Sequence, residues 1–170
     1  TKFGWSGLTM DGSNEDLSHN FHKEFITPNN IVGLFKKYHV PKTFDLLSID
    51  IDSTDLWVMR NILKAGYRPR VLLSEFNRNW DINEFWTFPN DPSERWSGTG
   101  YFGSSLAALN MVAEEFGYKL LYTNLQGYES VNAFWTLEGP RHDISEVFKG
   151  VKALHKPITA MERAKLVDYK

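Results

Sequence analysis

Three aspartates lie close together at the end of an apolar, strand-like run that covers residues 46–51. Alternation along an extended chain places Asp50 and Asp52 on the same side, and Asp55 follows at the start of a helical pattern. Carboxylates this close repel one another unless a cation, a hydrogen-bonded ligand or helix N-terminal amides stabilise them. The cluster therefore indicates a ligand or catalytic site. The alternative for a single residue is that Asp52 or Ser53 only caps the following helix.

Two further polar pairs follow strand-like runs. Glu75 and Asn77 end the run at 70–76, and in open α/β sheets ligands bind at the carboxyl edge of the strands. A carboxylate and an amide at this edge can orient a substrate hydroxyl or amine; the alternative is a strand-end turn with a left-handed Asn77. Asp11 and Gly12 end a short early strand, where an acidic residue can bind ribose hydroxyls. The alternative for this pair is an ordinary Asp-Gly turn.

Several other chemistries lack their residues. The chain contains no cysteine, and its five histidines do not show metal-ligand spacing, so no metal site is assigned. The glycine patterns of phosphate-binding loops and of hydrolase nucleophile elbows do not occur. The Asp50-x-Asp52 pair, with Ser74 on the next strand, also resembles the motifs of haloacid-dehalogenase-type phosphatases. The later acidic pair of that family is replaced by Tyr-Thr-Asn at 122–124.

Periodicity predicts an α/β fold. The order strand, helix, strand over 46–51, 53–65 and 70–76 forms a βαβ unit with continuous apolar strands, which is typical of a parallel sheet. A helix is predicted before this unit, from a Thr27-Pro28 cap to Pro41, and another over 104–116. Strands at 119–123 and 131–137 are close enough to pair antiparallel. We predict one domain over 1–140 and a helical tail over 141–170, with helices at 144–155 and from 160 onward.

Residues 77–102, called the aromatic segment below, combine many aromatic side chains with prolines and glycines. Such a long irregular stretch inside a compact domain is typical of a lid, a binding loop or a partner surface.

Composition limits the class of protein. The chain has 170 residues, of which 42% are hydrophobic and 15% aromatic, so it has enough apolar material for a folded core. Its formal net charge of -2 gives no global attraction for nucleic acid or for an anionic membrane. No apolar run reaches the about 20 residues that a membrane-spanning helix needs. Composition leaves the compartment and the oligomeric state open.

The order of several motifs resembles the FkbM-type branch of the class I S-adenosylmethionine-dependent methyltransferases. The motifs are GWSGLTMDG at 4–12, FITPNNI at 25–31, FDLLSIDID at 44–52, PRVLLSEFN at 69–77, YFGSSL at 101–106 and VNAFW at 131–135. The resemblance implies a Rossmann-like, mostly parallel sheet with an antiparallel C-terminal strand pair. It also implies transfer of a methyl group from S-adenosylmethionine to an oxygen or nitrogen acceptor, which is a small molecule or a protein.

The resemblance also implies roles for individual residues. Asp11 and Gly12 would hold the cofactor ribose, and Asp50 would take part both in cofactor binding and in catalysis. Asp52 would line the site near the methyl group, and Glu75 and Asn77 would face the acceptor. The expected catalytic residues are therefore Asp50, Asp52 and Glu75.

The sequence departs from this family in two places. The first strand and its glycine-rich loop would precede Gly4, and they are missing from the sequence, so we expect an incomplete domain with a slot beside the strand of Asp50. The usual Asp-Gly-Asn-Asp is replaced by residues 52–55, DSTD. We therefore expect weak cofactor binding by these 170 residues. Either these residues are part of a longer chain, or the strand around Leu8 pairs with that around Ile49, or a partner chain fills the slot. A partner chain is expected to cover the slot or the aromatic segment. The alternative function is a non-catalytic methyltransferase-like subunit docked in a larger assembly.

Overall fold

The computed structural model describes residues 4–124, 131–139, 142–147 and 159–170. Its strands are β1 (Thr9–Asp11), β2 (Phe21–Lys23), β3 (Thr43–Ile49), β4 (Arg68–Glu75), β5 (Trp86–Thr87), β6 (Lys119–Asn124), β7 (Asn132–Thr136) and β8 (Val167–Asp168). Its α-helices are α1 (Ile31–Lys37), α2 (Asp55–Lys64), α3 (Leu106–Glu115), α4 (Ile144–Val147) and α5 (Ala160–Lys165). The protein is therefore of the α/β class.

The main sheet has four strands in the order β3-β4-β7-β6. The strands β3 and β4 pair in parallel, with Ile49 opposite Ser74. The strand β7 lies antiparallel to both β4 and β6, so three strands run in one direction and β7 runs in the other. The parallel βαβ unit and the antiparallel pair predicted from the sequence are confirmed. Strand β3 ends at Ile49 rather than at residue 51, because the chain turns at Asp52, whose φ of 58° is left-handed.

Two small sheets accompany the main one. The strands β1 and β2 pair in parallel, with Thr9 opposite Phe21. The alternative in which the strand around Leu8 pairs with that around Ile49 is therefore wrong. The third sheet joins β5, inside the aromatic segment, to β8 near the C-terminus.

One face of the main sheet carries the core. Helix α2 packs against α1 and α3, and the three helices cover the strand side chains Leu47, Leu72 and Trp135. Helix α2 ends at Lys64, one residue before the predicted end. The φ of 84° at Gly66 allows the amides of Gly66 and Tyr67 to return to the carbonyls of Leu63 and Ile62.

The start of α1 differs from the prediction. The helix begins at Ile31, because Thr27 and Asn30 close a turn of their own: the Asn30 side chain accepts from the Thr27 amide at 2.8 Å. Thr27 Oγ1 accepts from the Asn30 amide at 3.3 Å, so this hydroxyl caps a turn and not the helix.

The C-terminal region contains an element that the sequence patterns missed. Helices α4 and α5 lie where the tail was predicted to be helical, and the part of that prediction at 148–158 lies outside the described residues. Helical structure does not continue to the C-terminus. It ends at Lys165, and β8 then pairs with β5.

Among the described helices, none combines the length and apolar character that crossing a membrane requires.

Candidate functional site

The carboxyl ends of β3 and β4 bring three acidic side chains together. One carboxylate oxygen from each of Asp50, Asp52 and Glu75 lies within 4.8 Å of the others. The parallel pairing causes this, because it places the ends of both strands at the same edge of the sheet. We call these three residues the acidic edge. They are the three predicted catalytic residues, and their spacing could also hold a hard divalent cation, which prefers carboxylate oxygens.

The acidic edge is on the side of the sheet opposite the helices. Side chains alternate along a strand, and the neighbours of Asp50 and Glu75, Ile49 and Ser74, are buried on the helix side. Asp50 and Asp52 are exposed and Glu75 is half-buried. Asn132 is the ladder partner of Glu75, and its Oδ1 is buried without a hydrogen-bond partner among the described residues. Asn132 was not predicted; its position at the start of the strand antiparallel to β4 is the signal that could have found it.

Burial and mutual repulsion disfavour ionisation at this edge. The pKa of Glu75 is raised to about 8, mainly by burial and to a smaller extent by the charges of Asp50, Asp55 and Asp52. Burial also raises the pKa of Asp50, with a smaller contribution from Asp52. A carboxyl whose pKa lies near neutrality can exchange a proton with a substrate at physiological pH.

Asp55 organises the turn that carries Asp50 and Asp52. Its two carboxylate oxygens accept from the amides of Ile51 and Ser53, at 2.8 and 2.9 Å. Asp55 is fully buried, and burial raises its pKa to about 6, although these hydrogen bonds act in the opposite direction. Neither Asp52 nor Ser53 caps α2: the Ser53 hydroxyl donates to the Ile51 carbonyl, and the helix N-cap position is Thr54. The sequence pattern included Asp55 in the cluster without indicating this structural role.

Asp11 and Gly12 lie apart from the acidic edge, in the sheet of β1 and β2. Asp11 Oδ1 accepts from the amides of Ser13 and Asn14 at 2.7 and 2.8 Å, and from the Asn14 side chain at 3.2 Å. The Ser13 amide is the largest of the interactions that lower the pKa of Asp11. At Gly12 a Cβ would lie 3.3 Å from the ring of Phe25. The geometry is that of an Asp-Gly turn, and only Asp50 of the three predicted cofactor-binding residues lies at the acidic edge.

Asn77, at the start of the aromatic segment, is hydrogen-bonded to the backbone at the end of that segment. Its side-chain nitrogen donates to the carbonyls of Gly100 and Phe102 at 2.8 Å, and its amide donates to the Ser104 carbonyl at 2.7 Å. The residue is completely buried, so the expectation that Asn77 faces an acceptor is wrong. The left-handed alternative is also wrong, because the described non-glycine residues with positive φ are Asn20, His39 and Asp52.

Four aromatic side chains of the aromatic segment are buried, namely Trp80, Phe88, Tyr101 and Phe102. Phe88 and Tyr101 are buried with ring centroids 4.1 Å apart, and the Trp57 indole of α2 donates to the Phe88 carbonyl at 2.8 Å. Trp96 is the exception, with 42% of its surface exposed. The segment therefore packs against the N-terminal part of α2 through Phe88 and Trp57, and a partner surface on its exposed residues stays a prediction.

Ser74, the residue that suggested a phosphatase, points away from the acidic edge. It is completely buried, and its hydroxyl donates to the Glu75 carbonyl at 3.2 Å. Alternation along β4 places Ser74 on the helix side and Glu75 on the other.

The fold and the site together define an α/β protein with an acidic cluster at the carboxyl edge of a parallel strand pair. Comparison of the chain with family models, with curated proteins and with solved structures finds no match.

Proposed function

We propose that the acidic edge is the acceptor end of a methyl-transfer site, where Glu75 takes a proton from an oxygen or nitrogen acceptor. The observation that carries this proposal is the half-buried Glu75 carboxyl, whose pKa of about 8 results from burial beside Asp50 and Asp52. An acceptor hydroxyl or ammonium must lose a proton to become a nucleophile, and a base with a pKa near the working pH is effective. Asp50 and Asp52 would orient the acceptor by accepting its hydrogen bonds.

The described residues provide groups that can bind a methyl acceptor, but they provide fewer groups that can bind S-adenosylmethionine. S-Adenosylmethionine would supply the methyl group on a positively charged sulfur. The ribose-binding role implied for Asp11 requires a carboxylate available to two hydroxyls. One of its oxygens is already held by the turn at Ser13 and Asn14. We therefore derive no step through the cofactor and assign the residues of this chain to the acceptor side alone.

The test is a methyl-transfer assay with isotopically labelled S-adenosylmethionine at high concentration and a panel of hydroxyl and amine acceptors. Glu75→Gln keeps the shape of the side chain and removes the base, so transfer should fall by about 10²-fold or more. Glu138→Gln, an exposed change at the other end of the sheet, is the matched control and should leave transfer unchanged. Equal transfer by Glu75→Gln and by the unmodified chain would contradict the proposed base.

A second candidate function is a non-catalytic subunit, because the sheet face opposite α1–α3, here the open face, exposes apolar side chains. Leu46 on β3 and Tyr122 on β6 have 46% and 49% of their surface exposed. An open trough of about 510 Å³ lies on this face, with Trp5, Leu46 and Leu137 in its walls. The trough is at the end of the sheet away from the acidic edge, so it is not the acceptor site. Absence of transfer to every acceptor would favour this second function.

A further inference from the structure

Residues 159–170, called the C-terminal strap below, hold the aromatic segment from outside. The strap contains α5 and β8, and β8 pairs with β5 through Asp168 opposite Trp86 and Val167 opposite Thr87. The Tyr169 amide donates to the Phe85 carbonyl at 2.8 Å and extends this short ladder. The Tyr169 ring meets Trp57 of α2 edge-on, with centroids 5.6 Å apart.

Polar contacts near the surface supply the rest of the attachment. Glu162 completes a capping box with Thr159, and its other oxygen accepts from the hydroxyls of Ser97 and Thr99 at 2.7 and 2.9 Å. Lys165 pairs with Glu94 at 3.2 Å. Helix α5 has no buried residue. At least one partner in each of these contacts is solvent-exposed, so each contributes little, and segments with few buried apolar contacts open at a low free-energy cost.

Next to the strap, two consecutive residues carry buried polar atoms that have no partner in the described part of the chain. These atoms are Asn79 Nδ2, Asn79 Oδ1 and Trp80 Nε1. The strap reaches this place at Trp80, because Arg163 lies over the Trp80 ring, 5.6 Å from its centroid. Three unpartnered polar atoms in two consecutive residues disfavour the closed state, since water would satisfy them in an open one.

We propose that the C-terminal strap is a displaceable closure that opens as a unit and exposes the polar groups of Asn79 and Trp80 just after the acidic edge. The attachment is short and mostly polar, and the covered groups gain hydrogen bonds when the strap leaves. Because α1, α2, α3 and the main sheet share a core that contains no strap residue except the partly buried Tyr169, they stay folded during opening.

Thiol labelling tests this proposal, because the chain contains no cysteine. The variant Asn79→Cys carries a thiol next to Trp80, the residue that Arg163 of the strap covers, and Ala108→Cys carries one in the core at a position with 0% exposure. Modification by Ellman's reagent should be about 100-fold faster for Asn79→Cys, since the core thiol reacts only on global unfolding. Adding Tyr169→Ala or Glu162→Ala should accelerate labelling at residue 79 by about tenfold and leave residue 108 unchanged. Adding Met161→Ala, an exposed strap residue, should change neither rate.

Hydrogen exchange of the unmodified chain gives a second measurement that does not depend on a cysteine. The amide of Tyr169, which donates to the Phe85 carbonyl, should exchange well above the rate of the α3 amides. Exchange of the Tyr169 amide at the rate of global unfolding would overturn the proposal. Labelling at residue 79 that is as slow as at residue 108, or that is insensitive to both strap substitutions, would also overturn it.

Discussion

The acidic residues at the ends of β3 and β4 differ in role because their surroundings differ. Asp55 is fully buried and both of its oxygens accept from backbone amides, so its carboxylate stabilises the turn between β3 and α2. Asp50 and Asp52 project to the exposed side and remain available to a ligand. Glu75 is half-buried, with a pKa of about 8. The sequence places four carboxylates in one region, and their different burial distinguishes the structural carboxylate of Asp55 from the three that a substrate can reach.

The raised pKa of Glu75 makes a prediction about stability. In the unfolded chain this carboxyl ionises near pH ~4.3, whereas in the fold it ionises near 8. The folded state therefore holds more protons between these values, so stability falls as pH rises through that window. Glu75→Gln should remove this loss and raise the free energy of unfolding at pH 8.5 by about 1–2 kcal/mol, with little effect at pH 4. Urea unfolding at both pH values measures this, with Glu138→Gln as control. A destabilised Glu75→Gln at pH 8.5 would show that the charged carboxylate has a partner.

Asp50→Asn and Asp52→Asn should weaken ligand binding and leave the melting temperature equal or higher. Each change removes repulsion from the acidic edge, and asparagine tolerates the left-handed conformation of Asp52. Asp50→Asn should also move the pKa of Glu75 downward, because the Asp50 charge is the largest electrostatic contribution that raises it. Carboxyl-carbon NMR titration of Glu75 reads this shift directly. Marked destabilisation by both substitutions would instead identify these carboxylates as structural.

At the scale of elements, the turn between β3 and α2 positions the site. Strand β3 delivers Asp50, the left-handed Asp52 reverses the chain, and Asp55 binds the turn from the first position of α2. The left-handed residue of this turn is an aspartate, which accepts that conformation more readily than most side chains.

Asp55→Asn should therefore be strongly destabilising, in contrast to Asp50→Asn. The amide group can accept only through its single oxygen, so one of the Ile51 and Ser53 amides loses its partner and meets a buried NH₂ donor. Leaving buried donors unpaired costs about 1–3 kcal/mol each, and we expect a loss of that size or larger. Chemical denaturation of Asp55→Asn beside Asp50→Asn measures the contrast. Equal stability of the two variants would contradict the role assigned to Asp55.

The elements with strong periodicity could be predicted, and those created by distant pairing could not. Continuous apolar runs identified β3 and β4, helical spacing identified α2 and α3, and their parallel pairing then placed Asp50 beside Glu75. In contrast, β8 exists only because it meets β5, and neither has a local pattern long enough to be recognised. Asn77 was assigned to a substrate because its position at a strand end says nothing about the carbonyls of Gly100 and Phe102.

At the scale of the whole molecule, packing is one-sided. Helices α1, α2 and α3 cover one face of the main sheet, and the open face keeps partly exposed apolar side chains. In the described part of the chain, β3 has β4 as its one strand neighbour, so its other edge presents backbone groups as well. Edge strands with apolar side chains promote association between chains.

Leu46→Lys should reduce self-association without unfolding the protein. Leu46 is 46% exposed on the edge strand β3, so a lysine there places charge on both the edge and the open face. The free energy of unfolding should change by less than about 1 kcal/mol, because the leucine is not a core residue. Leu17→Lys, at a residue 64% exposed outside the main sheet, is the control. Light scattering as a function of concentration compares the variants, and identical curves for all three proteins would contradict an association driven by the open face.

The three residues expected to bind S-adenosylmethionine, Asp11, Gly12 and Asp50, lie in different parts of the molecule. Asp11 ends β1 in the two-stranded sheet and Gly12 follows it, whereas Asp50 lies at the edge of the main sheet. Asp11 Oδ1 is held by its own turn, and a glycine-rich phosphate- or nucleotide-type loop does not occur in the 170 residues. The chain should therefore bind S-adenosylmethionine and its demethylated product more weakly than micromolar, or not at all. Isothermal titration calorimetry of the 170-residue chain measures this, with Asp11→Asn as the matched variant. Micromolar or tighter binding that Asp11→Asn abolishes would show that the Asp11 turn opens to admit the ribose.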